Sequence, residues 1–567
     1  MDLKSLIRHA RGDEPADLLL RNGRVVNVLS GEILPGDVAI AGEHIVGFGD
    51  YPARTEIDLG GSFVAPGFID AHVHIESAMV PPAQFARAVV PRGTTTVITD
   101  PHEIANVLGL EGIRFMFESA KYGPLSMYVM ASSCVPATDM ATNGAVLHGY
   151  DLFPLKSDPW VLGLAEVMNF PAVVRGDDAL LEKIGAFRDC VIDGHAPALT
   201  GRALQAYVAA GVSSDHESTT AAEALEKLRL GMMVFIREGT VARDLDALLP
   251  LVSAATQHRF CFCTDDCQPA DLVERGGIDY MVRRTIAYGV DPIIALRMAS
   301  WNAAQHFRLY NRGALTPARR ADLVVFDDLR APEVRLVIRD GQIVARDGRM
   351  TASARVPSRS LRGTMNVAWD AVDFRIPAAG RRARVIGAQP NQLVTESLID
   401  EPTRRDGNAV ADPDRDLLKL AIIERHMASG GMGKGFVRGI GLRHGALASS
   451  VAHDHHNLVV MGADDVSMMT AARRVAALHG GMVVASGAEV LAEVALPLGG
   501  LMSLEPVETV HRQMAAAVRA ARELGSTLHD PFMTMGFLGL EVIPHLKLTD
   551  KGLVDVDRSA FVDLWVD

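Results

Sequence analysis

Between residues 63 and 264 the chain repeats one pattern eight times: a short, apolar, β-prone run followed by a helical stretch. The runs are 63–70, 94–100, 125–130, 161–166, 190–194, 212–215, 232–236 and 260–264. Strands alternating with helices pair in parallel, because each helix returns the chain to the edge it left. Eight such units in about 250 residues match the size of a closed (β/α)8 barrel. An open, doubly wound sheet is the alternative.

The ends of these runs carry the chemistry. The first leads into Ile69-Asp70-Ala71-His72-Val73-His74, where i, i+2 spacing on a strand sends both imidazoles to one side. The second is followed by His102 and Glu103, the fourth ends at Glu166, the fifth runs into His195, the sixth into His216 and the eighth into Asp265. In a barrel these C-terminal strand ends share one face, where active sites sit. Four of these histidines, His72, His74, His195 and His216, and two of the carboxylates, Glu166 and Asp265, would then converge as a binuclear metal site.

Such nitrogen and oxygen donors without thiolate suit Zn, Mn or Fe(II). Glu166 can bridge two ions, one per oxygen. Paired ions lower the pKa of a shared water toward neutrality. Asp265 can ligate a metal, take a proton from that water and deliver it to a leaving group, which is acid–base work by one carboxylate. The reaction class is hydrolytic attack on an sp² carbon. Asp265 and Asp266 are adjacent, so strand alternation sends them opposite ways, and Asp265, directly after Thr264, is taken as the ligand.

Around this core the chain divides into further units, as 567 residues demand. Residues 15–62 and 320–350 read as short strands separated by turn pairs such as Asn22-Gly23 and Pro35-Gly36. Each block is too small for a sheet core, so residues 1–62 and 310–375 are expected to form one composite β domain, with the barrel at 63–309. Residues 351–385 read as a connection, and 400–416 as a linker or an exposed loop. Residues 376–567 form an α+β unit, with a helix at 417–427, strands near 448–451 and 458–461, a helix at 464–479 and a strand at 481–486.

Composition narrows the partners. A net charge of −13 argues against gathering nucleic acid or anionic membrane. No apolar run is long enough to span a bilayer, and the first residues lack a signal-peptide core. Five cysteines in so long a chain are no disulfide framework, and a cytoplasmic location follows.

Phe63-Val64-Ala65-Pro66-Gly67-Phe68 leading into the two histidines, single ligands after later strands, and Gly313-Ala314-Leu315-Thr316-Pro317 re-entering the β domain resemble the amidohydrolase superfamily. Many members carry a carboxylated lysine after strand four; here Leu164-Ala165-Glu166-Val167 supplies a glutamate. That feature resembles the adenine deaminase branch, as do Asp100-Pro101-His102-Glu103-Ile104-Ala105-Asn106, Val451-Ala452-His453-Asp454-His455-His456-Asn457 and Asp530-Pro531-Phe532-Met533-Thr534-Met535-Gly536. The resemblance covers essentially the whole chain. It implies conversion of adenine to hypoxanthine and ammonia by a metal-bridged hydroxide attacking C6, and a homodimer or larger assembly. It implies two divalent ions, Mn or Fe(II) before Zn: one held by His72, His74 and Asp265, the other by His195 and His216, with Glu166 between. Glu103 is the candidate for proton handling at a ring nitrogen; His102 and Asp266 stand beside the ligands as supports or substrate contacts. Another amidohydrolase, acting on a cyclic amide or a different aminated base, is the nearest alternative. A metal-free scaffold homologue would lack ligands that this chain keeps.

Three other features have plainer readings. Cys261, Cys263 and Cys267 are read as small core residues rather than a metal cluster. Gly430-Gly431-Met432-Gly433-Lys434-Gly435 lacks the Ser or Thr of a phosphate loop. The His453-Asp454-His455-His456 cluster is either a second metal site or a polar loop end that encloses substrate or meets a second subunit.

Overall fold

A computed structural model describes residues 1–121, 123–353, 361–390 and 392–567. Residues 354–360, within the expected connection, lie outside it. Eight parallel strands supply the centre: β1 (Phe68–Val73), β2 (Thr94–Thr99), β3 (Ser126–Ala131), β4 (Val161–Val167), β5 (Val191–Gly194), β6 (Ser214–Asp215), β7 (Met233–Arg237) and β8 (Phe260–Cys263). They form a curled five-stranded sheet, β5-β4-β3-β2-β1, and a three-stranded sheet, β6-β7-β8. The two approach at both edges. Asp265 N–H donates to the His72 carbonyl at 3.0 Å on one side, and Ser213 N–H to the Ile192 carbonyl at 2.9 Å on the other.

The run 63–70 is not one strand. Phe63–Pro66 belongs to a nine-stranded sheet, between Leu323–Phe326 and Ala16–Asn27, and β1 begins after Gly67. A Cβ on Gly67 would lie 2.3 Å from the Thr95 hydroxyl, so the change of sheet passes too close to β2 for any side chain. Through this short strand the nine-stranded sheet joins residues 16–58 to residues 323–350.

Inward side chains fill the curled sheets. Ile69, Ala71, Ile98, Met130, Phe235, Cys261 and Cys263 pack with Ala303, Ala304 and Phe307 at the helix Trp301–His306. Burying each large apolar side chain stabilises by about 1.5–3 kcal/mol. Cys261 and Cys263 are free thiols in that apolar cluster, pushed well above the ordinary range by burial.

Beyond residue 376 an eight-stranded sheet packs against the helices Asp465–Ala477 and Val507–Glu523. The expected helix at 417–427 is instead the strand Leu418–Ile423, buried at all six positions. A strand covered on both faces reads as a continuous apolar run, which periodicity cannot tell from a buried helix. The polar stretch at 400–416 is a hairpin, Thr403–Arg405 against Asn408–Val410, inside this unit rather than a linker. The readings at 448–451, 458–461, 464–479 and 481–486 correspond to Ala446–Ser449, Leu458–Gly462, Asp465–Ala477 and Gly481–Ser486.

One loop of this unit reaches the parallel strands. Residues 450–457 leave the sheet after Ala446–Ser449 and carry four consecutive polar residues, His453 to His456, all buried. Arg425 holds the loop from behind. Its guanidinium, entirely buried, donates to the carbonyls of Thr364 (2.7 Å), Gly499 (3.1 Å) and His456. Among the described residues no helix is long and apolar enough to cross a membrane.

Candidate active site

Past an irregularity in the β1–β2 register between Asp70 and Val73, the i, i+2 spacing places His72 and His74 on one side. Asp70 accepts from the Thr264 N–H (3.1 Å) and hydroxyl (2.6 Å), locking the end of β8 against β1. The His72 and His74 Nε2 atoms are 3.1 Å apart. His74 Nδ1 lies 2.9 Å from the Asp100 carbonyl, which can only accept, so in the neutral ring Nε2 is a bare lone pair aimed inward.

Glu166, at the end of β4, faces both histidine pairs. One oxygen lies 3.1 Å from His74 Nε2 and 3.7 Å from His72 Nε2; the other lies 2.7 Å from His195 Nδ1 and 3.3 Å from His216 Nε2. Asp265 Oδ1 is 3.4 Å from His72 Nε2 and 3.2 Å from His74 Nε2. Neither ring nitrogen of the buried His216 has a hydrogen-bond partner. These six residues, buried together, offer nitrogen and oxygen atoms that could hold divalent cations; three-residue groups able to do so recur among them.

Asp265 does not follow strand alternation. β8 ends at Cys263, and Asp265 adopts φ +54°, the left-handed region that Asp tolerates better than most side chains. The turn brings both neighbours to the same cavity: Asp265 among the histidines, and Asp266 accepting from the Ser77 hydroxyl at 2.5 Å. Burial pushes the Asp265 carboxyl up, but the close approach of His72 and His74 and the Arg237 guanidinium hold it well below the usual carboxylate range.

The cavity is lined by these groups together with the apolar side chains of Met168, Leu393, Phe537, Leu540 and Ile543. Glu103, in the first turn of the helix His102–Leu108, faces it. Glu103 Oε1 lies 2.5 Å from His453 Nδ1, and Oε2 pairs with His456 Nε2. Because His456 Nδ1 accepts the Ala452 N–H at 3.1 Å, its Nε2 must carry the proton and donate to Glu103. Burial raises the Glu103 carboxyl, and the neighbouring His453, His456 and His102 more than reverse it. The His453–His456 cluster therefore lies in the enclosing wall of the site. His102 stands between the two groups: Nδ1 is 3.0 Å from Asp100 and 3.4 Å from Glu166, and Nε2 is 3.3 Å from Glu103.

Residues 63–344 match the Amidohydrolase family, and residues 392–560 match the Adenine deaminase C-terminal domain. An adenine deaminase of Cereibacter sphaeroides is 50% identical over 558 residues, spanning 98% of each chain. That of Desulfatibacillum aliphaticivorans is 48% identical over 99% of each, and that of Brucella anthropi 46% identical over 99% of this chain and all of its own. The chain belongs to the adenine deaminase family. Among solved structures, a β-aspartyl dipeptidase from Fervidobacterium islandicum is 16% identical, with a TM-score of 0.46, over 59% of this chain and 98% of that one. Membership of the amidohydrolase family implies divalent metal use.

In this member of the family, four site residues escape a reading of strand ends taken one ligand at a time. Arg237 closes β7, the same position that flagged the other strands, yet carries a cation rather than a ligand. It is buried, donates to Asp265 at 3.0 Å and to Glu217 at 3.1 Å, and lies 3.4 Å from Asp244. Glu217 follows His216 directly and is 3.5 Å from His195 Nδ1. Asp100 and Asp454 complete the surroundings of His102.

Beneath His195 and His216 lies Lys227, without exposed surface. Its Nζ donates to the Ala196 carbonyl, Asp215 and Glu223, each at 2.8 Å, and so ties together the residues flanking both histidines. Lys227→Met leaves two buried carboxylates without their cation. It is expected to cost about 3–5 kcal/mol, read as a lowered urea midpoint; an unchanged midpoint would show the lysine to be dispensable.

Proposed function

We propose that this chain hydrolyses adenine to hypoxanthine and ammonia, using two divalent ions of which Mn or Fe(II) are favoured over Zn. The observation that carries the reading is Glu166, whose two oxygens each face a separate histidine pair in one buried cavity; full-length identity near 50% to adenine deaminases supports the substrate. His72, His74 and Asp265 would hold one ion and His195 and His216 the other, with Glu166 shared. Bound there, paired ions would supply a water whose pKa is lowered toward neutrality.

The rest falls to the chain's own residues. Asp265, kept ionised beside Arg237, takes a proton from the attacking water and passes it to the exocyclic nitrogen. A C6–O bond forms, the C6–N bond breaks and ammonia leaves. Glu103, paired with a His453 whose pKa is raised to about 9 by Glu103 and Asp266 against the cost of burial, handles the proton at a ring nitrogen. Met168, Phe537 and Leu540 offer an apolar wall for a planar base and exclude bulk water.

The same reading takes the eight strands as one closed (β/α)8 barrel at 63–309, joined through the backbone bonds at its two edges. Residues 1–62 with 310–375 make a composite β domain, and 376–567 a C-terminal α+β domain that roofs the site. A cytoplasmic homodimer or larger assembly completes it. The test is ammonia release by Mn- or Fe(II)-loaded protein across purines, pyrimidines and cyclic amides. Adenine is expected to be the substrate; turnover of hydantoins or dihydropyrimidines without adenine would overturn the assignment.

A further inference from the structure

The carboxylates lining the cavity are engaged, with one exception. Both oxygens of Glu103 are taken by His453 and His456. Glu166 is shared among the histidines, Asp265 and Glu217 accept from Arg237, and Asp266 accepts from Ser77. Asp454 differs. Its side chain is 2% exposed and lines the cavity, Oδ1 makes only a 3.8 Å approach to His102 Nε2, and Oδ2 has no hydrogen-bond partner. Among the described residues it is the one cavity-lining carboxylate with a buried, unpartnered oxygen. A buried acceptor left bare loses its hydration without compensation, so the chain leaves room there for a donor it does not supply.

Its position says which donor. The His102 ring spans the gap from Glu166, 3.4 Å from Nδ1, to Asp454, 3.8 Å from Nε2. Asp454 thus stands about one heterocycle beyond the histidine–carboxylate centre. A purine whose C6 faces that centre turns its imidazole edge away from it. Free adenine carries one imidazole-ring N–H, at N9 or, in the 7H tautomer, at N7; a base substituted at N9 carries none, and its N7 can only accept.

Resting on the proposed adenine chemistry, we infer that Asp454, supplied by the C-terminal unit, accepts the imidazole-ring N–H of the substrate and so makes the enzyme select the free base over 9-substituted purines. The selection has two parts: a hydrogen bond to the correct substrate, and a carboxylate facing a lone pair in the wrong one. Sites built to bond a substrate N–H reject analogues lacking it by up to about 10⁴-fold.

The experiment compares kcat/KM for adenine and 9-methyladenine in the wild-type holoenzyme, D454N and D454A, with metal content measured on each. Wild type is expected to prefer adenine by at least about 10³-fold. D454A should lose about 10²-fold on adenine, mainly in KM, and little on 9-methyladenine. D454N, equal in volume but able to donate to N7, should raise 9-methyladenine turnover at least tenfold, which relief of crowding could not do. A preference unchanged in both variants would overturn the inference and leave the adenine reading intact. So would loss of bound metal, which would make His102, Glu103 and Asp454 a cation site instead. A wild-type holoenzyme inactive on adenine would overturn the underlying reading, and is seen before any substitution is made.

Discussion

Replacing Asp265 by Asn is expected to lower adenine turnover by about 10⁴-fold, the upper range for removing a positioned acid–base group. The substitution keeps the shape of the side chain but removes the acceptor that would take a proton from water, and it turns an amide toward His72, His74 or Arg237. One orientation sets the new NH₂ against the Arg237 guanidinium, 3.0 Å from the present Oδ2; the other sets it toward the two histidine Nε2 atoms. Either way the site loses a charge that Arg237 is placed to stabilise. Glu217 and Asp244 still face Arg237, so the cation is not stranded and folding should survive. The measurement is single-turnover ammonia release at matched metal content. Turnover within tenfold of wild type would remove Asp265 from the proton path.

Glu103→Gln is expected to cut turnover by about 10²–10⁴-fold while leaving bound metal at the wild-type level. Its oxygens lie within hydrogen-bond reach of His453 and His456, and none of the close approaches to Glu166 or Asp265 involves it. The tautomer of His456 makes the carboxamide a poor replacement. The Ala452 N–H occupies Nδ1, so Nε2–H must donate, and a glutamine oxygen can satisfy it only by turning its NH₂ toward His453. His453 can accept there only as neutral imidazole, which removes the proton that the pair would share. Near-normal kcat, or a fall in kcat accompanied by lost metal, would end the proposed role.

The split between what was legible and what was not follows from the range of each interaction. Eight β-prone runs, the i, i+2 histidines and the residues after strands two, four, five, six and eight could be read because parallel βα units put successive strand ends on one face, whatever the loops do. The strand at Leu418–Ile423 could not, since burial on both faces erases the period that distinguishes strand from helix. Nor could the facing of Asp266, because one left-handed residue at position 265 overrides alternation.

By itself, then, the sequence determined the parallel α/β core, the strand-end positions of the six candidate donors and the family, since each is written in local pattern or in long identity. Tertiary structure decided everything that depends on distant segments meeting. It set Arg237 against Asp265, gave Glu103 two histidines from about 350 positions further on, and carried the bare carboxylate of Asp454 to the far side of His102. Local pattern holds no record of those contacts, because they are made by a loop whose position is set by the packing of a separate sheet and by the buried Arg425 that ties it down.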